Sequence, residues 1–275
     1  MNRRHLLAAL AAAPLAPRAF ANPTAALTGD IDIVRRALAL HPGTFRYNTP
    51  AALSARLDGL RRDFAAAPDR GARYLLLSRF LATIRDGHTY ANFFNQTKAV
   101  AAELFDRGTR LPFHFRWLDG EMVVTAHGGP GLPPGTIVRR LNGVPAPAML
   151  ARLIPFTRTD GHNEGKRVSL LEVRGTEGIE TFDVFHGLIY GAPPGGAHRV
   201  EVVRPDGRAV TVVLPPITLA ARRAQMVAGE RTARSGPGRY GPTAWRCSIC
   251  PAGCSTTATG RGSRGWPSGS TRCPR

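Results

Sequence analysis

Leu132-Pro133-Pro134-Gly135-Thr136-Ile137-Val138-Arg139-Arg140-Leu141-Asn142-Gly143-Val144-Pro145 is the stretch on which the reading of the fold turns. Two prolines and a glycine over 132–135 preset a turn, because proline fixes one dihedral and glycine admits the left-handed one. Thr136 to Leu141 then reads as a short strand, and Asn142-Gly143 is a dipeptide suited to a tight hairpin turn. Ala148 to Ile154 comes next as a short helix.

The same strand period extends outward in both directions. Upstream, Phe113-His114-Phe115-Arg116-Trp117, a turn at Asp119-Gly120, and Met122-Val123-Val124-Thr125 form a hairpin pattern. Downstream, strand-like runs recur at Thr181–Phe185, His198–Val203 and Ala209–Leu214, the last two joined by Pro205-Asp206-Gly207. Residues 108–216 are therefore expected to form a compact, mainly antiparallel β module.

Before this module the period is helical. Asp30 is expected to cap a helix with Ile31, Val34 and Leu38 on one face, ended by His41-Pro42-Gly43. Thr49-Pro50 pairs an N-cap with a proline at the first helical position. Leu53, Leu57, Leu60 and Phe64 mark the buried face, and Pro68-Asp69 closes the segment. Tyr74, Leu77, Leu81 and Ile84 suggest a third helix. It is expected to stop at Asp86-Gly87, with the glycine in the left-handed C-cap conformation. A further helix is expected from Thr97 to Phe105. None of these helices hides its apolar face alone, so they must pack on each other or on the chain downstream of them.

His88 is the most telling polar residue. It sits in Leu81-Ala82-Thr83-Ile84-Arg85-Asp86-Gly87-His88-Thr89-Tyr90, just past the third helix. An imidazole there serves as a general base if a serine or cysteine nucleophile reaches one ring nitrogen; by itself it equally serves to stabilise a turn. His41, His114, His127 and His162 fall into no ligand spacing. HExxH, GxSxG and Walker motifs are absent from the sequence, and Gly128-Gly129-Pro130-Gly131 lacks the lysine and hydroxyl of a phosphate loop.

These motifs, in this order, resemble the N-terminal part of the S41 serine peptidases, the tail-specific or C-terminal-processing group with its tricorn-like members. The matching pieces are Tyr74 to Ser78 leading into Ile84–Tyr90, then Leu132–Thr136, then Val138–Pro145. The resemblance implies an α+β protein: a helical N-terminal subdomain (22–106) followed by a PDZ-like antiparallel β module (107–225). It implies His88 as general base and a groove that takes a polypeptide substrate or C-terminal peptide by strand addition. Leu132, Gly135 and Thr136 are the candidates for the loop that receives the peptide carboxylate. No metal or other cofactor is implied. The family's nucleophilic serine belongs to an α/β catalytic domain further along, where this chain turns into a different kind of sequence. That domain is expected to be missing or frame-disrupted, leaving a truncated, inactive peptidase or a non-enzymatic peptide-binding module.

The two ends of the chain carry separate messages. Arg3 and Arg4, the apolar run Leu6 to Ala16, and Ala19-Phe20-Ala21 fit a signal peptide cleaved after Ala21. Periplasmic or extracellular export is then expected, with the arginine pair pointing to the twin-arginine route. No second apolar segment long enough for a transmembrane anchor is present in the sequence. The net charge of +18 invites a nucleic-acid reading. However, residues 1–21 hold three arginines and residues 231–275 eight, with no acid in either segment. The remaining residues carry 26 basic and 19 acidic side chains, interspersed as on an ordinary surface. Specific nucleic-acid binding is therefore not expected, and an arginine-rich tail acting as a cationic binder is the weaker alternative.

From 226 onward the sequence is rich in Gly, Ser, Thr, Pro, Arg and Cys, and disorder is expected. Cys247, Cys250, Cys254 and Cys273 have the number of a four-thiolate site but no apolar residues to build a core around it, so no metal is expected. Permitted codons for 245–257, read two bases on, can spell Ala-Val-Leu-Asp-Leu-Pro-Ser-Trp-Leu-Phe-Tyr-Asn, a far more foldable string. A frameshift within 225–245 is the corresponding expectation. Oligomeric state is open.

Overall fold

The computed structural model describes residues 23–226. The expected signal segment, the four cysteines and the chain beyond 226 lie outside the described residues. Three helices open the described chain: α1 (Pro23–Leu40), α2 (Pro50–Ala66) and α3 (Arg70–Ala82). Thr49 caps α2 as expected, its hydroxyl accepting from Ala52 N at 3.2 Å, with Pro50 at the first turn. Such a cap stabilises by about 1 kcal/mol. All four residues assigned to the inner face of α2, Leu53, Leu57, Leu60 and Phe64, are buried. They join Ile31, Leu38, Phe80 and Ile84 in one apolar cluster.

Three boundary expectations are corrected here. Asp30 lies inside α1, which begins at Pro23, because the apolar period alone does not reveal where a helix starts. Asp69 does not close α2 but caps α3, accepting from Ala72 N at 2.7 Å. The left-handed residue after α3 is Arg85 (φ 58°), and Gly87 is not left-handed. Glycine at 87 answers to space instead. A Cβ there would overlap the Asp160 carboxylate and Lys166 Nζ.

α4 (Lys98–Leu104), capped by Thr97, leads into the sheet. Its strands are β1 (His114–Leu118), β2 (Glu121–Ala126), β3 (Ile137–Leu141), β4 (Val144–Pro145), β5 (His198–Val203) and β6 (Ala209–Leu214). The order is β1-β2-β3-β5-β6, all neighbours antiparallel, with β4 hooked onto β3. Asp119-Gly120 and Asn142-Gly143 both have positive φ at both residues. Their mirror-image turns match the twist of the flanking strands. β6 ends the sheet on one side among the described residues, and its side chains alternate between exposed and half-buried.

Between β4 and β5 run α5 (Ala146–Leu153), α6 (Glu164–Leu170) and α7 (Thr181–Tyr190); α8 (Leu219–Ala224) comes after β6. The expectation of a strand at Thr181–Phe185 is wrong, since this is the first half of α7. Phe182, Asp183, Val184, Phe185, His186 and Gly187 are all buried. A helix covered on every side shows no amphipathic period, and its aromatic and β-branched residues then mimic a strand.

The α+β class holds, but a clean division into a helical front and a β back does not. α3 faces two ways. Phe80 and Ile84 belong to the helical cluster, while Tyr74 joins Phe93, Leu104 and Phe105 in the core of the sheet. Tyr74 packs edge-on against Phe105 at 5.2 Å, and its hydroxyl donates to Ala91 O at 2.8 Å. Burial of each such aromatic is worth about 2–3 kcal/mol, so the helices and the sheet share one stabilising interior. No described helix is long and apolar enough to cross a membrane.

Candidate functional site

The loop after α3 is built by local hydrogen bonds that leave one ring outside. Thr83 Oγ1 donates back to Phe80 O at 2.7 Å, and Ile84 is wholly buried. The chain then reverses at Arg85. Asp86 Oδ1 accepts from His88 N at 2.8 Å and from Thr89 Oγ1 at 3.2 Å. These bonds, that of His88 N foremost, hold the Asp86 carboxyl below its ordinary range; the nearby His41 and His88 rings add to the effect.

His41 completes a short relay. Its Nδ1 accepts from Gly43 N at 3.1 Å, which leaves the proton of the neutral ring on Nε2. That nitrogen lies 2.9 Å from Thr89 Oγ1, so it donates to the hydroxyl, which in turn donates to Asp86. A second loop clamps the first. Gly87 N donates to Asp160 Oδ1 at 2.8 Å, Gly161 N to Arg85 O at 2.9 Å, and Lys166 pairs with Asp160. The Lys166 bond is the main reason the Asp160 carboxyl is also held low.

The result is a fixed backbone carrying a free imidazole. The His88 side chain is 99% exposed, and its Nδ1 lies 4.0 Å from Asp86 Oδ1. At that distance no hydrogen bond orients the ring. Residues 23–226 contain three serines and no cysteine. Ser78 is buried and donates to Tyr74 O at 2.8 Å; Ser169 accepts from Arg174. Ser54 lies on α2 beside Leu53 and Leu57. None is hydrogen-bonded to His88. Among the described residues, no group of three or more His, Cys, Asp or Glu is arranged to hold a metal ion.

Leu132, Gly135 and Thr136 fall in the β2–β3 connection. Leu132 and Thr136 are fully buried. Gly135 N donates to Val124 O at 2.8 Å, Thr136 N to Pro133 O at 3.1 Å and Leu132 N to Gly129 O at 3.2 Å. All three N–H groups are thus already bonded within the chain. Among the described residues, no hydrogen bond joins this turn to the His88 loop. The turn does lie beside β6, the edge strand among the described residues: a Cβ at Gly131 would meet Val212 at 3.1 Å.

The sequence reading missed the partners of the loop rather than the loop itself. Asp160 and Lys166 lie more than seventy residues from Gly87, and nothing local links them. Only Gly161, left-handed at φ 60° after an aspartate, marked a turn there.

Comparison with known proteins gives a fold and no family. No family model matches the chain, and no curated protein does. Among solved structures, mature CPAF complexed with lactacystin superposes with a TM-score of 0.50 at 14% identity. The match covers 70% of this chain and 34% of that one. Mature CPAF in a second structure gives 0.47 at 15% identity over the same shares. The chain thus spans about a third of the length of the protein it matches. What it shares with that structure is the fold of this part of the chain, at remote similarity.

Proposed function

We propose that this chain carries the general base and the peptide-binding module of a serine-type peptidase of the S41, tail-specific and tricorn-like kind. The observation that carries the reading is the His88 loop: its backbone is clamped by Asp86 and Asp160, and its ring is left open to solvent. That is the condition a general base must meet to receive a nucleophile presented from elsewhere. On this reading a serine attacks a peptide carbonyl, His88 takes its proton, and Asp86 steadies the imidazolium that forms. The serine and the oxyanion donors must come from outside the described residues. The serines beyond 226 sit in no strand-then-helix sequence context, so on this reading the 275-residue chain by itself has negligible activity, and it works in an exported compartment.

A serine-directed fluorophosphonate probe tests this on the full chain, with a heat-denatured control and an unfolded polypeptide as substrate. The expected result is neither specific labelling nor cleavage. Labelling and cleavage that vanish in His88→Ala would place a working nucleophile inside the chain and refute the claim of inactivity. Cleavage that survives His88→Ala would remove the role of His88. The genomic nucleotides through codon 275 test the frameshift proposal directly, since early stops in the other frames would end it.

A second reading has its own support. Among the described residues β6 is an unpaired sheet edge with exposed Val213, and an extended peptide can add to it as a further strand. A non-enzymatic module for C-terminal peptides, with the Leu132–Thr136 turn nearby, would prefer a peptide with a free C-terminus to its amidated twin. Equal binding of the two would dismiss carboxylate recognition.

A further inference from the structure

A cleft of about 330 Å³ opens between α2, the end of α3 and the segment from Pro155 to Arg167. Arg56, Arg79, Arg85 and Arg167 line it, and no carboxylate does. Their partners explain little of this charge. Arg56 bonds to the neutral Asn48 side chain, and Arg85 meets the ring nitrogens of His162 at 3.0 and 3.1 Å. Arg167 Nε is buried with no hydrogen bond, its nearest acid being Glu164 at 3.7 Å. Arg79 makes no side-chain hydrogen bond or ion pair among the described residues. Three surface arginines elsewhere pair with acids, Arg61 with Asp32, Arg70 with Glu103 and Arg139 with Glu121. Others such as Arg36, Arg62 and Arg116 stand singly among the described residues; what sets the cleft apart is that four arginines share it.

Four like charges gathered on one cleft repel each other unless an anion joins them, and each guanidinium offers five donors in a planar fork. We infer that this cleft binds a compact, multiply charged anion of the oligophosphate class. Guanidinium forks match phosphate oxygens bidentately, and several charges within one cleft are what a phosphate chain supplies and a single carboxylate does not. Tyr47, 39% exposed and 5.4 Å from the His162 ring, stands at the same cleft and offers an aromatic face to a nucleoside if one is attached. The inference does not rest on the peptidase reading.

Calorimetric titration of the full chain with tripolyphosphate and with ATP tests it. Saturable binding that weakens with salt is expected. Arg79→Gln should weaken it about tenfold, and Arg79→Gln with Arg85→Gln about a hundredfold, the loss expected for charge-assisted hydrogen bonds. Arg79 is exposed and makes no side-chain bond among the described residues, so its single variant keeps the test valid if the double variant is poorly folded. Arg61→Gln, and Arg231→Gln with Arg234→Gln in the basic tail, should change affinity less than about twofold. Equal affinity for the two ligands assigns recognition to the phosphate chain. Tighter binding of ATP, lost in Tyr47→Ala, adds a nucleoside contact. No saturable binding at low salt, a loss as large in the tail variant as in Arg79→Gln, or tighter binding of a triglutamate peptide than of tripolyphosphate would each overturn the assignment.

Discussion

His88 stands two residues after Asp86, and His186 three residues after Asp183, yet the two pairs live in opposite surroundings. The His88 ring is almost fully solvated, while His186 is 2% exposed and stacked 5.1 Å from Phe182. Burial pushes the His186 imidazole down to about 3, so it stays neutral, with Nε2 unpaired. Asp86 is satisfied by its own loop. Asp183 is satisfied by α8: Arg222 Nε reaches it at 2.9 Å and Nη2 at 3.3 Å, while Arg110 Nε lies at 3.7 Å. Arg222 is fully buried and also donates to Leu111 O, tying α8 to the segment that enters β1. One histidine is left open to solvent beside its acid. The other is buried, and its neighbouring acid pairs with Arg222 in the interior.

The sharpest way to break this contrast is at Asp183. Asp183→Ala leaves Arg222 and Arg110 buried without their counter-charge, which should cost about 3–5 kcal/mol. Urea denaturation measures this, and a loss below about 1 kcal/mol would show that water reaches both guanidiniums. His88→Ala, by contrast, should stay within about 0.5 kcal/mol of the parent.

The next effect concerns pH. Burial, helped by the Asp183 charge, pushes the Glu180 carboxyl up to about 7 from its ordinary 4.5. A group whose folded value is raised contributes stability that is present below about 4.5 and lost as pH rises through about 7. His186 acts with the opposite sign: its folded value is lowered from 6.5, so its contribution is lost as pH falls below that. Glu180→Gln keeps an acceptor for Gly175 N, which now bonds to Glu180 Oε1 at 2.8 Å. The variant should therefore gain up to about 3 kcal/mol relative to the parent between pH 5 and pH 7.5. Equal pH profiles for the two proteins would mean that the carboxyl ionises normally.

The smallest effect tests the clamp. Gly87→Ala forces a Cβ into Asp160 and should cost about 1–3 kcal/mol. Amide exchange at Gly87 and Gly161 should accelerate while that of the β5–β6 ladder does not. Unchanged exchange at both loops would show that the two loops are not held together.

Much of this fold could be read locally, and the exceptions share a cause. Thr49-Pro50, Asp119-Gly120, Asn142-Gly143 and Pro205–Gly207 act within about four residues, through caps and turn dihedrals, and each is where the reading placed it. Leu53, Leu57, Leu60 and Phe64 lie on a one-sided helix, so their period survives in the sequence. α7 lost its period because every side is covered. His88 was visible as a polar residue after a helix, but the loop that carries it is bonded to Asp160, seventy-three residues from Gly87. The arginine cleft unites positions from 56 to 167 and had no local mark at all.

The amino-acid sequence by itself determined the elements whose signals are short-range: α2, the hairpin turns, the β5–β6 pair and the position of His88. Tertiary structure alone decided which histidine is buried, which acid meets Arg222, and that α3 serves two cores at once. The physical reason is reach. Capping and turn propensities are settled between neighbours, whereas desolvation and charge pairing depend on what the rest of the chain brings alongside.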